Sequence, residues 1–401
     1  MPAACLKGMY CLQTVVKEKE TSTKPEVSIH KYKRLSVYWT CTIILTVVTL
    51  LVNVTFLSSR KACDFYLDHV FRFTGGLLAR ITGIFPFSCG EVLITAGIII
   101  LIAALMLSIL SIIMRNHHKL RRFTARYLKT VLVIALSVFL IFTLNCTVMY
   151  CSTPMYFDND NREFDVETLE AVRNEVVEQC NELCRVVKRD ENHTMIFEGN
   201  ADKAASDALR GISDEFPRLS GYYPQAKSMM GSYFMYKSSI IGVYFPFSME
   251  ANYSKYVSDS YMPHVIAHEY SHLKGYIYES EANFMSYLAC TRSNDPAVRY
   301  SGYLCVLYYI DSDYKNSVSD ERYSEQPEID VYVRFDDYCY DKETYEYLKS
   351  LDEKKQPKVA EIAENVSDQM MDSYMDALDY KPNYSEVTLL MMQYYTERGN
   401  I

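Results

Sequence analysis

Three runs of the sequence are apolar almost throughout: Val37 to Leu57, Val92 to Met114 and Thr130 to Tyr150. Each is about 20 residues long, enough to cross a hydrocarbon layer as a helix. Three such runs in one chain are more than buried core helices account for. The first follows a long polar tail and lacks a small-residue cleavage site, so it reads as an anchor and not as a signal peptide. Between the first two runs, Phe71 to Phe87 mixes Leu77, Leu78, Ile81 and Ile84 with Arg72 and Arg80. That pattern predicts an interfacial helix, with Pro86-Phe87-Ser88 as the turn into the second span.

Beyond residue 150 the periodicity changes. Asp165 to Lys188 carries Val166, Leu169, Val172, Val176 and Leu183 at helical spacing, and Ala201 to Phe216 repeats the pattern. Ser239 to Phe245 is β-branched and aromatic and ends at Pro246, as a strand would. Further helices are predicted over Pro296 to Ile310, Lys342 to Leu351, Pro357 to Leu378 and Ser385 to Thr396. The expectation is a mainly α chain in three parts: a cytoplasmic tail over 1–35, a three-helix transmembrane region over 36–150, and an α+β extracytoplasmic domain with a small sheet over 151–401.

Charge sharpens this division. Residues 1–150 hold 17 Lys/Arg against 6 Asp/Glu, a net +11, whereas residues 151–401 hold 24 against 44, a net −20. A domain so acidic is a poor partner for nucleic acid or anionic headgroups. Seven basic residues precede the first span and six lie in the short loop expected from Arg115 to Lys129. Both segments are therefore expected on the cytoplasmic side, which puts residues 151–401 outside. The 12 cysteines show no metal-knuckle spacing, and most read as small buried hydrophobes without a disulfide framework. Most of the 35 tyrosines read as packing residues with the hydroxyl at an edge.

The chemistry gathers in Met262 to Cys290. His268-Glu269-Tyr270-Ser271-His272 is an HExxH. On a helix its two histidines stack one turn apart and can grip one metal ion, while Glu269 reaches a water beside it. Asp259 or Ser260 is expected to cap this helix, Pro263 suits its first turn, and Gly275 ends it. Glu279 to Thr291 reads as a second helix packed back on the first. A catalytic zinc needs three protein ligands and an open position, so Glu279 or Glu281 is sought as the third. His264, one turn before His268, is expected as a plain helix-face residue. Tyr276 and Tyr384 are candidates for polarising a substrate carbonyl.

Glu279-Ser280-Glu281-Ala282-Asn283 resembles the glutamate arrangement that follows HExxH in gluzincin peptidases. The resemblance implies Glu279 as the third ligand, with Glu281 second in line, Ala282 as the small packing residue and Asn283 as the partner that orients a ligand. Many relatives have Asp where Asn283 stands. In zincin folds an edge strand borders the cleft, which gives the strand near 239–245 a possible substrate role beside an ordinary structural one. Three spans, Phe245 to Asn252, HEYSH-LKG and ESEANF together resemble an uncharacterised family of bacterial, mostly Firmicutes, membrane proteins with a zinc-peptidase motif.

The resemblance implies a zincin-like domain acting on a peptide or protein at the outer face of a lipid bilayer. The expected roles are Zn2+ on His268, His272 and Glu279, with Glu269 as general base. The rivals are a catalytically idle receptor or scaffold and an amidase acting on cell-wall peptides.

Overall fold

Apolar length decides the first elements of the computed structural model, which describes residues 37–155, 166–354 and 386–398. The described residues from Thr42 onward form one compact unit. The first long helix, α1, is Val37–Ser58. Ser59 then caps a short α2, Arg60–Tyr66, whose axis continues through a π turn, Leu67–Phe71, into α3, Arg72–Thr82. The interfacial segment is thus helical from residue 60, longer than its apolar pattern predicts. The second long helix, α4, is Cys89–Ile113, capped by Ser88 of the expected turn.

The third long helix differs from its prediction. Basic residues are good helix formers and no Gly or Pro interrupts them, so α5 starts at His118 and runs to Phe142. A π turn, Thr143–Thr147, and a last helical turn, α6 (Val148–Tyr150), complete it. The expected loop over Arg115 to Lys129 therefore shrinks to a few residues, and most of its charge lies on the helix. Among the described residues three helices, Tyr38–Ser58, Cys89–Ile113 and His118–Tyr150, are long and apolar enough to cross a membrane.

The remainder is mainly helical. α7 (Val166–Leu183), α8 (Ala201–Gly211), α9 (Ser232–Lys237), α10 (Met262–Leu273), α11 (Glu279–Thr291) and α12 (Pro296–Ser317) are followed by short α13 (Asp320–Ser324) and α14 (Val331–Asp336). α15 (Lys342–Lys354) and α16 (Glu386–Arg398) complete the set. The first two helices end sooner than predicted and α12 runs longer, while the helix predicted over 357–378 lies outside the described residues. One core joins α7, α8, α10, α11, α12 and α16, with Leu169, Val176, Leu209, Tyr270, Met285 and Met391 at its centre. Ten described cysteines are free thiols, and most of them are buried.

Where one strand was expected, a three-stranded sheet forms, with order β1-β3-β2. β1 (Lys227–Met229) pairs in parallel with β3 (Glu250–Ser254), and β2 (Gly242–Phe245) pairs antiparallel with β3 from Phe245↔Glu250 to Gly242↔Tyr253. β1 and β3 carry Lys, Ser, Glu and Asn, which hide them from an apolar-alternation reading.

That sheet is fastened to the long helices. The Glu250 carboxylate is wholly buried; it pairs with the buried Lys227 ammonium and accepts from the Cys89 and Gly90 N–H groups that begin α4, at 3.2 and 2.9 Å. A carboxylate there meets both an ion partner and the positive end of the helix dipole. Lys227 also donates to Thr82 O at 2.9 Å. Gly90 is required, because a Cβ would lie 2.0 Å from the Phe245 ring. Two further links, Asn145 Nδ2 to Pro246 O at 2.8 Å and Tyr244 Oη to Asn145 O at 3.0 Å, tie the sheet to the end of the third long helix. A second apolar cluster fills this junction: Phe56, Phe71 and Met149 from the helix ends meet Tyr244, Leu273 and Ile277.

Removing one partner of a buried ion pair leaves the other charge stranded. We therefore expect Lys227→Met to cost about 3 kcal/mol. Lys227→Met/Glu250→Gln should recover much of it, since the amide oxygen still accepts from the α4 amides. Denaturant unfolding of the full-length protein in detergent measures both, and an unchanged midpoint in the single variant would contradict the account.

Candidate functional site

The motif helix α10 is set by its two ends. Its expected side-chain caps are engaged elsewhere: Asp259 accepts from Phe197 N at 3.0 Å, and Ser260 Oγ bonds Asp336 O at 3.1 Å and Ser258 Oγ at 3.0 Å. Tyr261 occupies the N-cap position without a side-chain capping bond, its hydroxyl donating instead to Asp337, and the orphan first-turn amide of His264 is met from α12 by Ser301 Oγ at 3.1 Å. Pro263 sits in the first turn. At the other end Gly275 takes φ +98°, a conformation side chains resist, and closes a Schellman turn. Its N–H bonds His272 O at 3.0 Å and the Tyr276 N–H bonds Ser271 O at 3.1 Å. The chain turns back within five residues into α11, whose first residue is Glu279.

This hairpin brings His268, His272 and Glu279 together. Their ligand-type atoms all lie within 4.8 Å of one another. Glu279 Oε2 is 3.0 Å from His268 Nε2, and Oε1 is 3.5 Å from His272 Nε2. Both imidazoles are held from behind: His268 Nδ1 meets Asn283 Oδ1 at 2.8 Å, and His272 Nδ1 meets Tyr276 O at 2.8 Å. With each Nδ1–H given to an oxygen, both Nε2 atoms face the gap, and loss of any proton there leaves the tautomer a metal ligand needs. Burial opposes a charge on His272, but the facing Glu279 carboxylate outweighs it and raises the pKa to about 9. The charge that His272 carries there is one a bound cation would replace. The Glu279 side chain is half exposed, which leaves the gap open to solvent.

Two imidazoles with pinned outer nitrogens and one carboxylate form a donor set that would suit a divalent ion of the zinc type. The Asn283 amide oxygen accepts from the His268 ring without adding charge. Glu281 points elsewhere, its carboxylate accepting from Met155 N at 2.6 Å. Tyr276 contributes its carbonyl to the site, and Tyr384 lies outside the described residues. His264 is buried with its ring 6.0 Å from that of His268, and its Nδ1 has no partner among the described residues. Burial, followed by the neighbouring His268, pushes its pKa well below the usual histidine range.

Glu269 is buried beside the three, and its Oε2 makes no hydrogen bond within the described residues. Burial is the main reason its pKa rises to about 7, against the pull of His268 and His272. An unpaired buried carboxylate carries a desolvation cost that only a partner at the site would offset. Its nearest wall is the start of the edge strand β2, where a Cβ on Gly242 would come within 2.3 Å of Glu269 Oε1. The sequence marked β2 as a strand bordering the motif helix, but the need for glycine at its first residue was invisible there.

Gly242→Ala should therefore displace Glu269 and lower stability by about 1–3 kcal/mol, the usual cost of overpacking. Thermal unfolding beside the isosteric Glu269→Gln measures it; a midpoint as high as the unsubstituted protein's would contradict the close approach.

No curated protein and no solved structure matches the chain. Residues 66–392 match the model of a family described as Protein of unknown function (DUF3810), a stretch that runs from the interfacial helix to the last described helix. By that match, which spans well over half the chain, this protein belongs to the DUF3810 family.

Proposed function

We propose that the protein is a membrane-anchored, zinc-dependent peptidase with a gluzincin-like site. The observation that carries this reading is the convergence of His268, His272 and Glu279, with both outer ring nitrogens engaged and Glu269 Oε2 left without a partner beside them. Zinc bound by these three side chains would supply Lewis acidity and make a water molecule more acidic. Glu269 takes a proton from water and passes it to the leaving amide nitrogen, work that a carboxyl group titrating near neutrality suits. Asn283 and the Tyr276 carbonyl keep the imidazoles from turning away. β2, an edge of the sheet with Gly242 against Glu269, offers backbone groups to an extended substrate.

The outer face of the membrane is the location this reading assigns to the site. Arg115, Lys119, Arg121, Arg122, Arg126 and Lys129 cluster where α4 gives way to α5, at the opposite end of those helices from the sheet. Such a cluster favours the cytoplasmic side. With three crossings, everything after Tyr150 then lies outside.

Glu269→Gln is expected to keep bound zinc and to lose peptide hydrolysis by at least about 100-fold, the lower range for a general base. A panel of unstructured peptides incubated with full-length protein and followed by mass spectrometry tests it. Full activity in the variant would remove Glu269 from the mechanism, and hydrolysis of cell-wall peptides alone would make the protein an amidase. Asn283→Ala should weaken zinc binding by about 10–100-fold, as loss of an orienting partner does. Competition with a chromogenic chelator measures that, and unchanged affinity would contradict the orienting role.

A further inference from the structure

A cavity of about 750 Å³ lies apart from the His-His-Glu cluster. It lies between α3 and the outer portion of the chain, on the side where the three long helices end. Its floor is apolar, formed in part by Phe71, Met249 and Leu273. Its rim is cationic, with Arg72, Arg80, Arg218 and Lys274 against Asp68 and Glu215.

Local pairing makes the imbalance larger. Asp68 accepts from Arg218 Nε at 2.7 Å, and Glu215 from Arg292 at 3.1 Å, so both acids and one arginine are already engaged. The Arg72 guanidinium forms no hydrogen bond or ion pair with the described residues. Arg80 lies over the Tyr222 ring at 4.5 Å and donates only to Gly76 O, at 3.2 Å. Lys274 donates to Ser220 O and Tyr222 O, both at 2.9 Å, leaving its third N–H available. Two guanidinium groups and the Lys274 amine, whose charge burial and the nearby arginines oppose, thus line one cavity, and no carboxylate among its described lining residues is left to balance the arginines.

The adjoining face of α3 says what kind of anion fits. Phe73, Leu77 and Ile81 recur every four residues, a stripe along one face of α3, and with Ile84 just beyond are 51–77% exposed. Phe73 and Leu77 also line the cavity, so the cationic row Arg72, Gly76, Arg80 borders an apolar stripe that continues out of it. A helix lying where membrane spans emerge buries such a stripe among acyl chains. A soluble anion would use the cations and leave the stripe idle; a peptide partner would not need the stripe to meet the membrane.

We propose that this cavity binds an anionic phospholipid, its phosphate on Arg72, Arg80 and Lys274 and one acyl chain along Phe73 and Leu77. Leu273 and Lys274 follow directly on His272, so an occupied cavity would steady the end of the motif helix against the bilayer.

The test uses full-length protein in neutral detergent, incubated with phosphatidylglycerol or phosphatidylcholine and examined by native mass spectrometry. The expected result is retained phosphatidylglycerol and no retained phosphatidylcholine. Arg72→Gln and Arg80→Gln should each lower retention about fivefold, the worth of one basic residue facing an anionic lipid. Arg72→Lys, which keeps the charge, should retain most of it and guards against a folding defect. Excess inorganic phosphate should leave the lipid bound, because the chain contributes too. Equal retention of both lipids, retention unchanged in Arg72→Gln/Arg80→Gln, or release by phosphate alone would overturn the proposal. None of these readouts depends on zinc or on hydrolysis.

Discussion

The Glu250 carboxylate, taken wholly out of water, is the constraint from which the rest of the arrangement follows. An isolated buried carboxylate is costly. Here it is met at once by the Lys227 ammonium and by the two amides that open α4. The same few atoms therefore fix β1 to β3 and fix both to the start of a membrane-length helix. Phe245, on the neighbouring strand, can settle only because residue 90 has no side chain.

Once the sheet is anchored, β2 has one place to go, and Gly242 comes against Glu269. α10 is bounded on one side by this strand and on the other by α11 and α12, which leaves the HExxH face looking into the gap that Glu279 closes. The turn at Gly275 makes that closure possible, because the chain must reverse between His272 and Glu279. Leu273 and Ile277, at this turn, pack against Phe56, Phe71 and Met149. The candidate centre thus rests directly on the ends of the long helices, and its geometry is coupled to those membrane-length helices through one apolar cluster.

Much of this was readable from the sequence, for physical reasons that differ by element. The long helices were legible because hydrocarbon length leaves a run of apolar residues that no other structure needs. The α10–α11 pair was legible because HExxH, Gly275 and the downstream glutamate each carry a local signal, and α11 spans the residues expected of it. The basic stretch before the third span was misread as loop, since charge there marks the water boundary and not the end of a helix. The caps Asp259 and Ser260 were misassigned because their partners, Phe197 and Asp336, are far away in sequence. Lys227 and Glu250 gave no signal at all: two charged residues read as surface until a fold brings them together. Arg173, buried against Asp311 at 2.9 Å, was hidden in the same way.

Glu279 and Glu281, two residues apart, show how the fold divides equivalent side chains. Glu279 faces both imidazoles, whereas Glu281 turns inward to the Met155 amide. The account stands on the first of these arrangements being a metal centre. Elemental mass spectrometry of full-length protein purified without added metal, beside His272→Ala, tests that most directly. About one zinc per chain, lost in the variant, is the result expected for a three-ligand site. A folded protein without stoichiometric metal, or equal metal in both proteins, would contradict it.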